Sequence, residues 1–501
     1  MDVQQARQDA KAGRLSMSDL LDMLEELDRL RGQDQEKIRR LIADIDRLKQ
    51  RLSQYEPEVK REATPDKPAT VPPSVRYSLA DEEKRRGFDR RRHKKKSPGR
   101  RPTEIKFAEA ERFEDVVPDG LTKADCDLVR ERAVWRLIDG RAVRVGYQIY
   151  RGPGRDEPAI PGVPRRCEYG IEILVVLAYL VYVIGISQDK ACAVLRFFCG
   201  LPLSRSQADA LLRQLAKHWE AEFDTLCHVL IHAAVVNADE TGWKVGTQKC
   251  SLWTFVTKWL RLFKFGCHKD ADTLASVLPP DLFDGIMVSD DAAVYLRFKR
   301  AQKCWAHLLR KAIRLALLYP RKATYRRFLD ELLQLYYDAK RASADQRLGE
   351  SGRKARVADL EGRLAGLCMK YSPHPTANLK PHERDFANLT NELSERLLDE
   401  TLFTFVLEPD EVEPTNNNVE RLQRGPAQDR KVGRTSKTAA GAERRSVIVS
   451  ILETLRANLP EFTFASVVAE VRRWMDEGVS LLDNLWQATI QAELAVALDS
   501  S

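Results

Sequence analysis

Two short apolar runs that each end on a pair of acidic residues most restrict the fold of this chain. The run V-V-N-A-D-E-T holds Asp239 and Glu240, and the run G-I-M-V-S-D-D holds Asp290 and Asp291 about fifty residues later. Such runs predict strands, and two strands side by side would bring Asp239 and Asp290 together. A hard divalent cation with oxygen ligands is the usual way to relieve repulsion between two carboxylates. For either run alone, the preference of Asp for turns is the favoured explanation, and a matching third acid would reverse that preference.

The composition predicts several globular units in a reducing compartment. The chain has 501 residues, of which 43% are hydrophobic and 31% charged, so three or more units with proper cores are expected. The nine cysteines are an odd number without a C-x-x-C pair or a secretory start, which suits the cytoplasm. The longest uncharged apolar run, at 173–186, has 14 residues. A membrane-spanning helix needs roughly 20, so we expect no membrane segment.

Residues 17–52 follow an unbroken heptad register. Nine of the eleven seam positions are apolar. A seam two residues in seven wide is narrower than globular packing prefers, so we predict a coiled coil that forms a homodimer or a higher oligomer. The alternative is one amphipathic helix that packs on its own domain. The seam positions are Met17, Leu20, Leu24, Leu27, Arg31, Asp34, Ile38, Leu41, Ile45, Leu48 and Leu52.

A Pro-rich polar linker leads into the most basic segment of the chain, at 84–101. This segment holds eleven Lys and Arg residues against the single acid Asp89, a local charge of +10. Like charges at this density do not pack together, so the segment is either a solvated tail or an arm that binds nucleic-acid phosphates. Its basic residues are Lys84, Arg85, Arg86, Arg90, Arg91, Arg92, Lys94, Lys95, Lys96, Arg100 and Arg101.

The following segments show a change from strand-like to helical patterns. Short strand-like runs alternate with turns over 113–166, whereas 172–230 has a helical pattern with a third helix opening at Ser204. The turn at 200–202 makes this region compatible with a helix-turn-helix that docks on DNA or with a simple helical subdomain. The stretch 315–400 is helical and charged and has the character of an insertion.

A helix is predicted to open in Q-K-C-W-A-H, starting at Gln302. On this helix His307, Arg310 and Lys311 share one face because they stand at i, i+3 and i+4. Cys304 with His307 suggests zinc, but no second pair at finger spacing accompanies them, so we assign no zinc.

Four motifs, taken in order, resemble the insertion-sequence sixty-six transposases over roughly 119–459. The resemblance implies a DDE enzyme with a ribonuclease-H-like core, whose catalytic and metal-binding acids are Asp239, Asp290 and Glu420. Asp239 is preferred over Glu240 by the family position, and Asp290 over Asp291 because it directly ends the apolar run. The motifs are A-D-E-T at 238–241, S-D-D-A-A-V-Y at 289–295, Q-K-C-W-A-H-L-L-R-K at 302–311, and T-N-N-N-V-E-R at 415–421 with G-R-T-S at 433–436.

The resemblance also implies the chemistry. Two Mg²⁺ ions about 3.5–4 Å apart, with Mn²⁺ tolerated in their place, would support phosphodiester cleavage and strand transfer at one site. The implied partners are double-stranded transposon ends and target DNA, together with accessory transposition proteins, and the implied location is the nucleoid when DNA is bound. His307 and Arg310 would support the site. The basic residues beside Glu420 either hold the DNA backbone or form a solvated helix face, and they are Arg421, Arg424, Arg430, Lys431 and Arg434.

Two alternatives to a transposase stay open at this point. The first is a ribonuclease-H-like nuclease that cuts DNA without joining it, and the second is a non-catalytic DNA-binding derivative of the fold. The family pattern often includes a zinc module ahead of the core, but here that region offers only Cys126 and Cys167. The resemblance therefore implies a degenerate module and no bound zinc.

The expected fold is multidomain, with an α/β ribonuclease-H-like catalytic core of mixed sheet and helices, a helical insertion, an N-terminal coiled coil and helical subdomains. The expected order is a coiled coil at 1–56, a linker and basic arm at 57–112, a small β-containing module at 113–168, a helical or helix-turn-helix-like segment at 169–230, the first part of the core at 231–315, the insertion at 316–400, the second part of the core at 401–460 and a C-terminal helical segment at 461–501.

Overall fold

The computed structural model describes residues 101–372, 379–484 and 487. All of them belong to one compact unit, Pro98–Ser501. The predicted coiled coil at 17–52 and the arm residues 84–100 lie outside the described residues. No helix in the described ranges is long and apolar enough to cross a membrane.

A three-stranded sheet opens the described chain. After helix α1 (Thr103–Ala108) come β1 (Arg112–Val116), β2 (Asp127–Ile138) and β3 (Arg141–Arg151). Strand β3 lies in the centre, parallel to β1 and antiparallel to β2. The β2–β3 hairpin turns at Asp139 and Gly140, with φ of 49° and 76°. Asp-Gly suits a two-residue turn in which both residues need positive φ.

Four helices follow, and sequence signals mark their ends. They are α2 (Ile171–Ala178, continued by a π-turn), α3 (Gln188–Cys199), α4 (Arg205–His218) and α5 (Glu220–Ile231). Helix α3 ends on Gly200 in the left-handed conformation, with φ of 73°. Ser204 caps α4 and exchanges hydrogen bonds with Gln207, so the predicted opening at Ser204 is confirmed.

A mixed five-stranded sheet forms the centre of the molecule. Its strands are β4 (Val235–Val245), β5 (Gln248–Val256), β6 (Arg261–Cys267), β7 (Ile286–Ser289) and β8 (Ala301–Lys303), with helix α6 (Ala271–Val277) between β6 and β7. The order is β6-β5-β4-β7-β8. Strands β4, β5 and β6 form an antiparallel meander, and β4, β7 and β8 are parallel.

The structure corrects one predicted strand end and one predicted helix start. Strand β4 does not end on Asp239 and Glu240, because its second half pairs with β5 in a hairpin. Strand β7 does end directly before Asp290, as predicted. The segment that starts at Gln302 opens with strand β8 rather than with a helix, because it pairs with β7, and the helix begins only at Trp305.

The two faces of the sheet belong to different cores. Met287 packs with the helices on one face, whereas its neighbours Ile286 and Val288 pack into the second core. That second core contains α7 (Trp305–Leu318), α8 (Ala323–Ala344), α9 (Glu350–Tyr371), α10 (Pro381–Leu398) and α11 (Thr404–Leu407). The helical pattern predicted for 315–400 is therefore confirmed for the described residues. These helices cover one face of β7.

Three more helices complete the described chain: α12 (Asn417–Lys431), α13 (Ala439–Asn458) and α14 (Phe464–Glu477). Helix α13 runs along the edge strand β6. Ser446, Ser450 and Thr454 stand four residues apart on α13, and their hydroxyls accept hydrogen bonds from main-chain N–H groups of β6 at 2.9, 2.8 and 3.1 Å. An open edge is thereby closed by side chains.

Candidate active site

Asp239 and Asp290 lie side by side on one face of the five-stranded sheet. Strands β4 and β7 are parallel, with Asn237 opposite Val288. The same register carried two residues further sets Asp239 opposite Asp290. Since side chains alternate along a strand, Asp239 shares its face with Asn237. This is the face on which α7 and α12 pack, because Val288 contacts the core of α7 and Asn237 bonds to the start of α12.

The two carboxylates raise each other's energy when both are charged. Burial raises the pKa of Asp239 to about 7, with further contributions from the nearby charges of Glu240 and Asp290. Asp239 accepts a hydrogen bond from the N–H of Glu240 at 2.9 Å, and Asp290 accepts one from the N–H of Ala292 at 2.9 Å. In the part of the chain that the structure describes, neither carboxylate has an ion-pair partner. This is the electrostatic situation that a cation would relieve.

The acidic neighbours of this pair are both occupied by protein partners. The Glu240 side chain is only 2% exposed, accepts a hydrogen bond from the Tyr295 hydroxyl at 2.6 Å and forms an ion pair with Lys269. Asp291 forms an ion pair with Lys311 at 2.5 Å. Its hydrogen bonds to Glu392 and Lys311 hold its pKa well below the usual range. Within the described ranges, two carboxylates therefore lack an ion-pair partner and their two neighbours are neutralised.

Glu420 lies in the first turn of α12 and faces the helix that carries the C-W-A-H segment. Its two carboxylate oxygens accept hydrogen bonds from the Arg310 guanidinium at 3.0–3.1 Å. Nε2 of His307 lies 3.8 Å from Oε1 of Glu420. Glu420 raises the pKa of Arg310 most, and the charge of Asp239 raises it further. Arg310 therefore lies within electrostatic reach of both acids.

Sequence analysis missed the residue that joins α12 to β4. Asn416, which is fully buried, donates a hydrogen bond to the main-chain carbonyl of Ala238 at 2.7 Å and accepts one from Asn237 at 3.2 Å. Its own N–H contacts the Cys304 sulfur at 3.2 Å. The run of three asparagines in T-N-N-N-V-E-R was the available signal, since Asn is common at helix starts.

A buried lysine holds the main chain of Asp290. Lys303, only 2% exposed, donates hydrogen bonds to the main-chain carbonyl of Asp290 at 3.0 Å and to the Ser289 hydroxyl at 3.1 Å. Burial lowers the pKa of Lys303 to about 8. Lysine is almost never fully buried, so this contact could not be predicted from the sequence.

The basic residues after Glu420 divide into two groups. Arg421, Arg424 and Lys431 are exposed on α12. Arg430 donates a hydrogen bond to the Gly242 carbonyl at 2.7 Å, and Arg434 donates one to the Gly185 carbonyl. The last two thus also hold α12 and the loop after it against the core. Of the arm residues, only Arg101 is described, and it pairs with Glu109.

The oxygen atoms at the site suit a hard divalent cation. Asp239 and Asp290 supply carboxylates, and the buried Thr254 hydroxyl, which is opposite Asp239 on β5, has no hydrogen-bond partner among the described residues. Within those residues, no group of three or more His, Cys, Asp and Glu side chains lies close enough together to hold a metal. Glu420, which is bonded to Arg310, is therefore not gathered with the two aspartates in this conformation.

Comparisons with known proteins place the chain in a family. No curated protein matches it. A solved structure, the Drosophila P element transposase strand transfer complex, shows a weak overall similarity with a TM-score of 0.32 and 12% identity, covering 60% of this chain and 94% of that one. The model of the transposase IS66 family matches residues 166–444, which is more than half of the chain and includes Asp239, Asp290 and Glu420. The chain belongs to the transposase IS66 family.

Proposed function

We propose that this transposase uses Asp239, Asp290 and Glu420 as a DDE triad for metal-dependent DNA strand cleavage and strand transfer. The observation that carries the proposal is the pairing of Asp239 with Asp290 on one face of the sheet, where no described residue forms an ion pair with them, while Glu240 and Asp291 are neutralised by protein partners. The antiparallel meander followed by two parallel strands, with helices on both faces, supports a ribonuclease-H-like core.

Asp239, Asp290 and Glu420 would hold Mg²⁺, with Mn²⁺ able to replace it. Bound there, the metal would help activate a water or a 3′ hydroxyl and stabilise the leaving oxygen of the phosphodiester. For Glu420 to join the two aspartates, it must exchange its bond to Arg310 for one to the metal. Arg310 is then free to contact a DNA phosphate, as a guanidinium readily does.

The exposed basic residues on the same helix are suited to holding the DNA backbone. Arg421, Arg424 and Lys431 follow Glu420 on α12 and are exposed. Contacts of this kind position the duplex without reading its sequence. The basic arm at 84–101 would add affinity that falls as salt rises, because each neutralised phosphate releases counterions.

Amide variants of the three acids test the proposal. The variants are Asp239→Asn, Asp290→Asn and Glu420→Gln. The substrate is duplex DNA that carries both flanks of the protein's own gene, with supercoiled plasmid as target, in Mg²⁺ or Mn²⁺. We expect each variant to lose cleavage and joining well beyond the roughly 10–100-fold that is typical of groups that only support a metal ligand. DNA binding without metal should survive.

Glu240→Gln and Asp291→Asn are the matched controls, and we expect losses no larger than that supporting-residue range. An assignment is wrong if its variant keeps near-normal activity while the neighbouring amide abolishes it. Wild-type protein that cuts the DNA without joining it would favour the nuclease, and tight binding without cleavage in either metal would favour the non-catalytic derivative.

A further inference from the structure

We propose that Glu392, on helix α10 of the helical insertion, is a positioning residue for the metal site and acts through Lys311 and Asp291 on the turn that carries Asp290. The proposal rests on the proposed function, since it concerns the same site. It gives the insertion a part in the chemistry, beyond covering the sheet.

The geometry places one ammonium group between two carboxylates. Nζ of Lys311 lies 2.5 Å from Oδ2 of Asp291 and 2.8 Å from both oxygens of Glu392. The side chains of Glu392, Asp291 and Lys311 are 15%, 28% and 42% exposed. Contacts this short between partly desolvated charges are stronger than exposed ion pairs and fix the relative positions of the groups.

The three residues come from three separate elements. Asp291 follows Asp290 in the turn after β7, Lys311 lies on α7, and Glu392 lies on α10. Helix α7 also carries Arg310, the residue that binds Glu420. The ammonium of Lys311 thus links three parts of the molecule: the turn after Asp290, helix α7, which faces Glu420, and helix α10 of the insertion.

The orientation of Asp290 depends on that turn. Among the described residues, its carboxylate has one hydrogen bond, from the N–H of Ala292 two residues later. Its main-chain carbonyl is held by Lys303. The side chain of Asp291 therefore holds the outer side of the turn through its contact with Lys311. Glu392 holds Lys311 in position for that contact.

Apolar packing already holds α10 in place without this cluster. Phe386, Leu389 and Leu393 of α10 are buried in the second core. A partly buried cluster of charges adds little net stability, because removing the charges from water offsets the attraction between them. The cluster is therefore better placed to fix geometry than to hold the helix.

The test measures Mn²⁺ binding by the full-length protein without DNA. Electron paramagnetic resonance gives the concentration of free Mn²⁺. The variant is Glu392→Ala. The matched control is Glu395→Ala, which replaces an exposed glutamate about one turn later on the same helix. Supporting residues of metal ligands typically change affinity by roughly 10–100-fold, and we expect Glu392→Ala to weaken Mn²⁺ binding within this range. The control should match the wild type.

A second pair of variants separates positioning from a general loss of folding. Lys311→Met should weaken Mn²⁺ binding as Glu392→Ala does, and the double variant should lose little more, because both act through one contact. Glu392→Gln keeps an oxygen that accepts from Lys311 and should recover part of the affinity. Circular dichroism confirms that each variant is folded before metal is added.

The outcomes distinguish this inference from the proposed function. If wild-type Mn²⁺ binding is unchanged by Asp239→Asn and by Asp290→Asn, the proposed metal site itself is wrong. If those two variants lose binding while folded Glu392→Ala and Lys311→Met both stay within twofold of the wild type, the site stands and the role of Glu392 is overturned.

Discussion

At the scale of single residues, the site is defined by which carboxylates have partners. Asp239 and Asp290 share a face and have no ion-pair partner among the described residues, whereas Glu240 and Asp291, one residue further along, are neutralised by lysines. Neighbouring side chains on a strand point to opposite faces, so Asp239 and Glu240 meet different surroundings. Carboxylates at adjacent positions thus differ in their protein partners.

Asn416 is the residue whose loss should most directly separate Glu420 from Asp239. Asn416→Ala removes a buried hydrogen bond and leaves the Ala238 carbonyl unpaired, so unfolding free energy should fall by about 1–3 kcal/mol. Cleavage should fall further than the lost folded fraction explains. Urea denaturation and cleavage assays measure both effects.

The exposed neighbour Asn417 provides the control for that variant. Asn417→Ala should leave stability within about 0.5 kcal/mol of the wild type and leave cleavage unchanged. Equal effects of the two substitutions would show that the buried contact to β4 is unimportant.

Glu392 should make stability depend on pH. Burial and a hydrogen bond with Asp291 raise its pKa from an ordinary 4.5 to about 7, against the opposing charge of Lys311. Between these values the folded protein keeps a proton that the unfolded chain has lost. The contribution, on the order of 3 kcal/mol, is full below pH 4.5 and is lost as the pH rises through 7. Asp291 titrates below this window because its pKa is held low.

Glu392→Gln cannot lose a proton, so its unfolding free energy should fall less between pH 5.5 and 8 than that of the wild type. Urea denaturation at several pH values measures the difference, with Glu395→Gln as the matched control. Wild type and Glu392→Gln with the same pH profile would contradict the prediction.

At the scale of elements, helix α13 completes the sheet by side-chain hydrogen bonds. The hydroxyls of Ser446, Ser450 and Thr454 accept from the N–H groups of β6 at intervals that match the spacing of one helix face. An edge strand would otherwise present a row of unpaired groups. The helix therefore binds the edge with polar side chains as well as by apolar packing.

Ser450→Ala should reveal the strength of this contact. The substitution leaves the N–H of Phe263 buried and without its acceptor, so unfolding free energy should fall by about 1–3 kcal/mol. Ser276→Ala, which removes an exposed hydroxyl within α6, should change it by no more than about 0.5 kcal/mol. Thermal or urea denaturation compares the two, and equal losses would refute the role of Ser450.

Local sequence patterns predicted most helices and strands, but they could not predict contacts between residues far apart in the chain. The apolar runs predicted β4 and β7, and Ser204 predicted the start of α4. The strand β8 was missed because its residues Gln302 and Lys303 are polar, although both are buried. Gln302, for example, donates a hydrogen bond to the carbonyl of Leu402, a hundred residues away. The contacts of Asn416 and Glu392 were out of reach for the same reason.

At the scale of the whole molecule, the sequence predicts that separate copies are joined outside the catalytic core. The heptad seam is at 17–52, whereas the proposed triad lies in the unit Pro98–Ser501. A transposase that pairs two DNA ends benefits from pairing its own copies first, because linked binding sites act at a raised effective concentration.

Replacing Leu41 and Leu48 with Asp should dissociate the oligomer, because each variant puts a charge into an apolar seam. Analytical ultracentrifugation at micromolar concentration should then show a monomer. Gln50→Asp, outside the seam, should leave the oligomer intact. A wild-type protein that sediments as a monomer with and without DNA would exclude the coiled-coil oligomer.

The chain leaves the sheet before α7 and returns after the helical insertion at neighbouring points. The N–H of Lys303 donates to the Thr401 carbonyl at 2.7 Å, and the Thr404 hydroxyl donates to the Ala301 carbonyl at 2.7 Å. The part of this segment that follows α7 can be exchanged as a unit, because the entropy of closing such a loop rises only slowly with its length. A replacement of another length would keep the sheet if it covered Ile286 and Val288. On our proposal, it would keep the full metal affinity only if it also returned an acid to Lys311.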